Sequence, residues 1–449
     1  MSRILPLINE LCAFPTGVMA PTNESFFERI ALELNIKIRR YLSGTTYNGW
    51  VVPDQWSVER ARILKDDCEV FNCLAAPLGV ASYSRSFQGE LDFEELKHHL
   101  VTNPTLPGAY VFHCMWQYRP WDADWAFSVP YETYRSFGPG RYTVDLVTTY
   151  SPGEMLVAVY DHKGRSNRTV VFNAHTCHPC MANDDFAGVA VLVRLFQWLR
   201  GQDTYYTYRL ILGPEHLGTI FYLHDLDDNE LQRIVGGAFA EMPGTRFPIK
   251  VAASFLGNQP IDKAFRNAAR HHTSAYEFVP WRQGAGNDET VWEAPGYEIP
   301  FVEVSRCRHI LDPYPEYHTS LDGPDLMDDD MLDEFYDVFV RAIGVLERNS
   351  RVYRKFNGLI CLSNPQYDLY LERPDPAVQK DLTEDSEKWG HLLDCLFRYF
   401  DGSMTVLDIA ERHDLPFEPL YHYIRKFEEN GLVRLEFSPI ERLPISRPI

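Results

Sequence analysis

The stretch VVFNAHTCHPCMANDDFAG, Val170–Gly188, decides how the rest of the chain is read. An apolar run (Val170, Val171, Phe172) stops in a cluster of side chains able to ligate a metal: His175, Cys177, His178, Cys180, Asp184 and Asp185. A long apolar pattern follows at once (Val189, Ala190, Val191, Leu192, Leu195, Phe196) and reads as a helix. A buried strand that feeds a loop and then a helix is the unit of a parallel α/β sheet. Such sheets carry their chemistry beyond the carboxyl ends of the strands. The ligand-rich loop lies at that place.

Downstream segments repeat the arrangement. Tyr208–Gly213 reads as a buried strand ending in Pro214, Glu215 and His216. Val235–Glu241 ends in Glu241, and Ala252–Phe255 reads as a further strand. Tyr297–Val304 leads toward the loop YPEYHTSLDG, which holds His318. Each group has a bland reading when taken alone. A lone histidine at a strand end is more often a satisfied structural residue, and Asp184 ahead of a helix could be a cap. Cys177 and Cys180 form a CxxC, which reads as a redox pair or half a zinc site, yet no second pair has suitable spacing. Acidic and histidine groups at several strand ends together point to a metal centre. Zinc takes imidazole nitrogen and carboxylate oxygen. Two metals close together need a bridging carboxylate. A glutamate beside a ligand, Glu215 next to His216, suits a proton acceptor.

Outward from the centre the texture changes. Ser25 and Glu28 fit a capping box, and the first 50 residues read as helical, with Gly44 as the stop. Residues 51–159 are rich in Tyr, Trp, Pro and short β-like runs, and read as a β-rich inserted module. Its aromatic wealth fits internal packing or a lid over an active site. Asp328–Glu347 reads as a helix with an acidic first turn, favourable at the positive end of its dipole. Residues 363–385 read as a linker. From Trp389 on, three helical patterns and a short strand suggest a winged helix, bounded at 375–449.

Formal net charge is −20 over 449 residues, which argues against general affinity for nucleic acid or anionic membrane. No window approaches the roughly 20 apolar residues of a membrane span. Nine scattered cysteines do not make a disulfide framework, and the expected setting is cytoplasmic.

HPCMANDDFAGVA, GPEHLG, GGAFAEMPG, GAGNDE and YPEYHTSLDG together resemble the motif series of the co-catalytic zinc aminopeptidases and glutamate carboxypeptidases. WVVPDQW, ASYSRSFQGELDFEELKHHL and GRYTVDL resemble the inserted domain of a three-part family with an aminopeptidase-like core and a winged-helix tail. The resemblance implies an α/β fold: a zinc-peptidase-like mixed sheet sandwiched by helices, built from residues 1–50 and 160–362, with the β-rich insertion and the winged helix appended. It implies one or two zinc ions. His178, Asp184 and Glu241 are expected around one metal, and Asp184, His216 and His318 around the other, with Glu215 as the catalytic base. His175 is a rival first ligand. Cys180 stands where the family places an aspartate two residues after the first histidine, which leaves the orientation of His178 open.

The expected activity is hydrolysis of a peptide or amide bond, most simply as an aminopeptidase. Asp288 or Glu289 would receive a substrate amine, Arg306 a carboxylate or oxyanion, and Tyr317 lies beside His318. A second reading is a specialised amidohydrolase that removes an aminoacyl or peptidyl group in a natural-product or polysaccharide pathway. A third, a winged-helix regulator that binds DNA, fits poorly: FEPLYHYIRKFEENG offers Arg425 and Lys426 among Glu418, Glu428 and Glu429. Partners are then a peptide or aminoacyl small molecule, with a homo-oligomer compatible.

Overall fold

The computed structural model describes residues 4–113, 115–122, 124–371 and 384–443. Its centre is an eight-stranded mixed sheet in the order β1-β2-β4-β3-β5-β8-β6-β7. The strands are β1 (Lys37–Leu42), β2 (Glu154–His162), β3 (Thr169–His175) and β4 (Thr207–Gly213), then β5 (Ile234–Glu241), β6 (Ile249–Ala252), β7 (Tyr276–Val279) and β8 (Phe301–Ser305). β3 pairs in parallel with β4 and β5, and β5 in parallel with β8. Their carboxyl ends, His175, Gly213, Glu241 and Ser305, therefore share one rim of the sheet.

Every residue of β3 is buried, so its apolar run lacks the alternation of a half-exposed strand. Val170, Phe172 and Ala174 face the core built with α1 (Ile4–Leu11), α2 (Asn23–Ala31), α3 (Ala187–Leu199), α5 (Pro260–His272) and α6 (Asp329–Arg348). Val171 faces the opposite core, with α4 (Leu217–His224) and Trp292. The aromatic ring of Phe172 meets those of Phe196, Phe265 and Phe339 edge-on. This locks three helices onto one strand.

Two boundaries differ from the sequence reading. The segment expected to stay helical to Gly44 turns into β1, because Lys37–Leu42 pairs along its whole length with β2. Residues 154–159 lie in the main sheet rather than in the insertion, since β2 pairs with both β1 and β4. Within the inserted stretch, Cys68–Asn72, Gln55–Lys65, Arg141–Ser151 and Phe87–Asp92 form a separate antiparallel sheet in that order, over its own core of Ile63, Phe127, Val144 and Leu146.

The tail holds α7 (Glu384–Cys395), α8 (Val406–His413) and α9 (Phe417–Glu429). A three-stranded sheet accompanies them, and its middle strand is Ser350–Arg354 from ahead of the linker. Of that linker, residues 372–383 lie outside the described residues. The tail is fastened to α5 by Lys263–Asp408 (2.6 Å) and Arg270–Asp414 (2.7 Å). No helix among the described residues is long and apolar enough to cross a membrane.

Gly188 opens α3 against the end of β5. A Cβ there would lie 2.2 Å from Asp185 Oδ1 and 2.6 Å from the backbone oxygen of Ala240. The backbone carbonyl cannot give way as a flexible side chain would. Gly188→Ala is expected to cost about 1–3 kcal/mol of stability, read as a lowered midpoint in thermal unfolding.

Candidate metal centre

Asp184 occupies the middle of a cavity at the rim of the sheet, lined in part by Phe112, Glu215, Glu241 and Tyr317. Its Oδ1 lies 3.0 Å from His175 Nε2. Its Oδ2 lies 3.4 Å from His178 Nε2 and 3.3 Å from His318 Nε2. His175 Nε2 is also 3.3 Å from Glu241 Oε1. Two triads able to hold a metal ion result, His175–Asp184–Glu241 and His178–Asp184–His318, and they share the aspartate.

Local hydrogen bonds fix this geometry. Asp322 receives the backbone N–H groups of Asn183 (2.9 Å) and Asp184 (3.1 Å) on its two oxygens, and the Tyr314 hydroxyl as well. Asp185 accepts from the N–H groups of Gly188 and Met242 on one oxygen and from that of His175 on the other. One carboxylate thus joins the ends of β3 and β5 to the start of α3. His178 Nδ1 sits 2.8 Å from the Pro179 carbonyl, so Nδ1 carries the proton and Nε2 faces Asp184 with a free lone pair. His175 Nδ1 contacts Cys177 Sγ at 3.2 Å. That thiol also accepts the Glu215 N–H at 3.0 Å.

The electrostatics follow from burial. Burial lowers His178, and Asp184 only partly offsets it. At His175 burial pulls the same way, but Cys177, Glu241 and Asp184 outweigh it and hold the imidazole well above its ordinary value. Burial would raise Asp184, yet the three histidines hold it well below the usual carboxylate range. Burial raises Glu241 well above that range and pushes Asp322 up to about 8. Cations placed among Asp184, Glu241 and the imidazoles would favour ionised carboxylates and neutral rings.

The residues expected from sequence divide into two sets. His178, Asp184, Glu241 and His318 come together, but Glu241 belongs with His175 rather than with His178. His216 lies outside both triads. Asp288 receives its backbone N–H at 2.6 Å, and its ring turns toward Trp50, with centroids 6.4 Å apart. His175 occupies the place expected for His178, beside Asp184 and Glu241. The orienting residue two positions after the first histidine is accordingly Cys177, not Cys180. Glu215 and Tyr317 line the cavity, and the Tyr317 ring stacks on His318 with centroids 3.8 Å apart. Asp288, Glu289 and Arg306 do not line it. Asp288 is occupied by His216 and Thr219, Glu289 by Asn287 and Arg282, and Arg306 by the Phe247 carbonyl and Glu334.

Asn287 and Phe112 are among the lining residues that escaped the sequence reading. Asn287 donates to Glu241 Oε2 at 2.7 Å, while its own Oδ1 is buried without a partner. Phe112 stacks on His178 with centroids 4.0 Å apart and donates its N–H to the His318 carbonyl at 2.8 Å. GAGNDE marked the first loop without singling out its asparagine. Nothing local to GAYVFHCMW shows that Phe112 meets a loop some 200 residues downstream.

A profile described as Domain of unknown function (DUF4910) matches residues 6–349. The chain belongs to this family. A Clostridium acetobutylicum protein named for polysaccharide biosynthesis and an aminopeptidase-like domain is 26% identical over 438 residues, covering 97% of this chain and 95% of the relative. A crystal structure from Clostridium acetobutylicum, named as a peptidase, superposes with a TM-score of 0.78 at 23% identity over 96% of each chain. The Bacillus subtilis zinc aminopeptidase BSAP gives a TM-score of 0.59 at 15% identity, over 76% of this chain and 93% of that one. The fold is therefore aminopeptidase-like, a mixed sheet flanked by helices as in zinc aminopeptidases.

The two triads separate His178 from His216 experimentally. His178→Ala is expected to lower bound zinc by one ion per chain in elemental analysis. His216→Ala is expected to leave the zinc content unchanged.

Proposed function

We propose that this chain is a metal-dependent amide hydrolase acting as an aminopeptidase. The observation that carries the reading is Asp184, a single buried carboxylate whose two oxygens face imidazole nitrogens of different triads. Three imidazoles and two carboxylates make the donor chemistry zinc prefers. His175, Asp184 and Glu241 would hold one ion, and His178, Asp184 and His318 the other. When bound, such ions polarise the scissile carbonyl and acidify water.

The chain's own residues supply the rest. Glu215 projects into the cavity from the turn between β4 and α4, takes a proton from the attacking water and returns it to the departing amine. Burial holds the Tyr317 phenol far above its ordinary value, so its hydroxyl stays protonated and donates to the developing oxyanion. The unpartnered Asn287 Oδ1 accepts from the free amine of the substrate. Phe112 packs over His178 and excludes water from that side. We place the β-rich insertion as a lid and the tail as a winged-helix packing module, and the free cysteines support a reducing, cytoplasmic setting.

Glu215→Gln is expected to lower kcat by about 10²–10⁴-fold while the zinc content stays at the wild-type level. Loss of metal in that variant would place Glu215 among the ligands instead. Blocking the substrate amine by acetylation should abolish turnover of an aminoacyl anilide. Equal turnover of free and acetylated substrates would remove the aminopeptidase assignment. The relative named for polysaccharide biosynthesis favours a narrower second reading, in which the amide belongs to an aminoacyl or peptidyl sugar. Inertness toward anilides with turnover of such an amide would select it.

A further inference from the structure

The tail carries another set of metal-type side chains, distant in sequence from Asp184. His391 and Cys395 stand four residues apart on α7, so both leave the same face of the helix. His413, buried, ends α8. Ligand atoms from all three lie within 4.8 Å of one another. Cys395 Sγ is 3.6 Å from His413 Nε2. A thiolate and an imidazole bound to one tetrahedral zinc, at about 2.3 Å and 2.1 Å, are separated by about the same span. The two imidazole rings have centroids 5.2 Å apart. The Tyr399 hydroxyl reaches both neighbours, at 2.9 Å from His413 Nε2 and 3.3 Å from Cys395 Sγ.

We propose that His391, Cys395 and His413 bind one zinc-class divalent ion that clips α7 to α8. A thiolate with two imidazoles selects zinc or cobalt over magnesium or calcium. Binding releases the Cys395 thiol proton to solvent. The His413 Nε2 lone pair passes to the ion, and the Tyr399 hydroxyl turns its hydrogen bond to the Cys395 thiolate, which it already reaches. His391 is exposed, so the fourth position opens to water. α8 is itself paired to the body through Asp408 and Lys263. The ion would therefore secure α7, the first described element after residues 372–383, to a helix that is already anchored. This inference does not depend on the hydrolase reading.

The test titrates metal-stripped full-length protein with cobalt(II) and follows the near-ultraviolet thiolate-to-cobalt charge-transfer band. Wild type is expected to develop the band, and Cys395→Ser to lack it. His391→Ala, altered only at an exposed position, should need about tenfold or more cobalt to reach the same intensity. A wild-type protein without the band overturns the proposal. So does a band that survives in Cys395→Ser, which would assign it to another thiol, or a titration unchanged by His391→Ala.

Discussion

A single carboxylate placed between three imidazoles is the constraint on which the rest of the structure depends. Asp184 is buried, and a buried charge without partners is costly. Its two oxygens are matched by Nε2 atoms from His175, His178 and His318, and its backbone N–H is held by Asp322. Those partners come from the end of β3, the loop after it and a loop beyond β8. The sheet must bring these segments to one rim before the carboxylate can be accommodated. The parallel register of β4, β3, β5 and β8 does this. Asp185, one residue on, closes the same rim by tying β3, β5 and α3 together.

Much of this was legible in the sequence because it is local. The apolar run before His175 and the helix after Gly188 follow from periodicity alone. A strand end is where the chemistry of such a sheet belongs, and Glu215, Glu241 and His318 all line the cavity, as that rule expects. The rule also favoured His175, which sits at the strand terminus, but motif spacing drew the assignment to His178. Both prove to face Asp184, in different triads. The error at His216 has another origin. Its backbone is pinned by Asp288, 72 residues later, and no local pattern reports which way a side chain turns. For the same reason Phe112 was invisible: its partner is the His318 loop. The strand Lys37–Leu42 was misread because its apolar spacing also fits a helix, and only its pairing with β2 decides between them.

The insertion and the tail differ in their relation to this rim. The insertion has a core of its own, yet it sends Tyr110 and Phe112 against the loop that carries His318. Any movement of that module is thereby coupled to a residue of the centre. The tail packs on the far side through α5, by ion pairs and by Asn267, which donates to the Leu415 carbonyl. Helix α9, which carries Arg425 and Lys426, buries Phe417, Leu420, Tyr423, Ile424 and Phe427 inward. Three of its charges are spent within the protein, Arg425 and Glu428 on each other and Glu418 on Arg348.

Asp184 is shared by both triads rather than belonging to one. The most direct measurement is the zinc content of Asp184→Ala against wild type, with folding checked by circular dichroism. A shared carboxylate requires the loss of two ions per chain from a folded protein. Loss of only one ion, or of none, would contradict it.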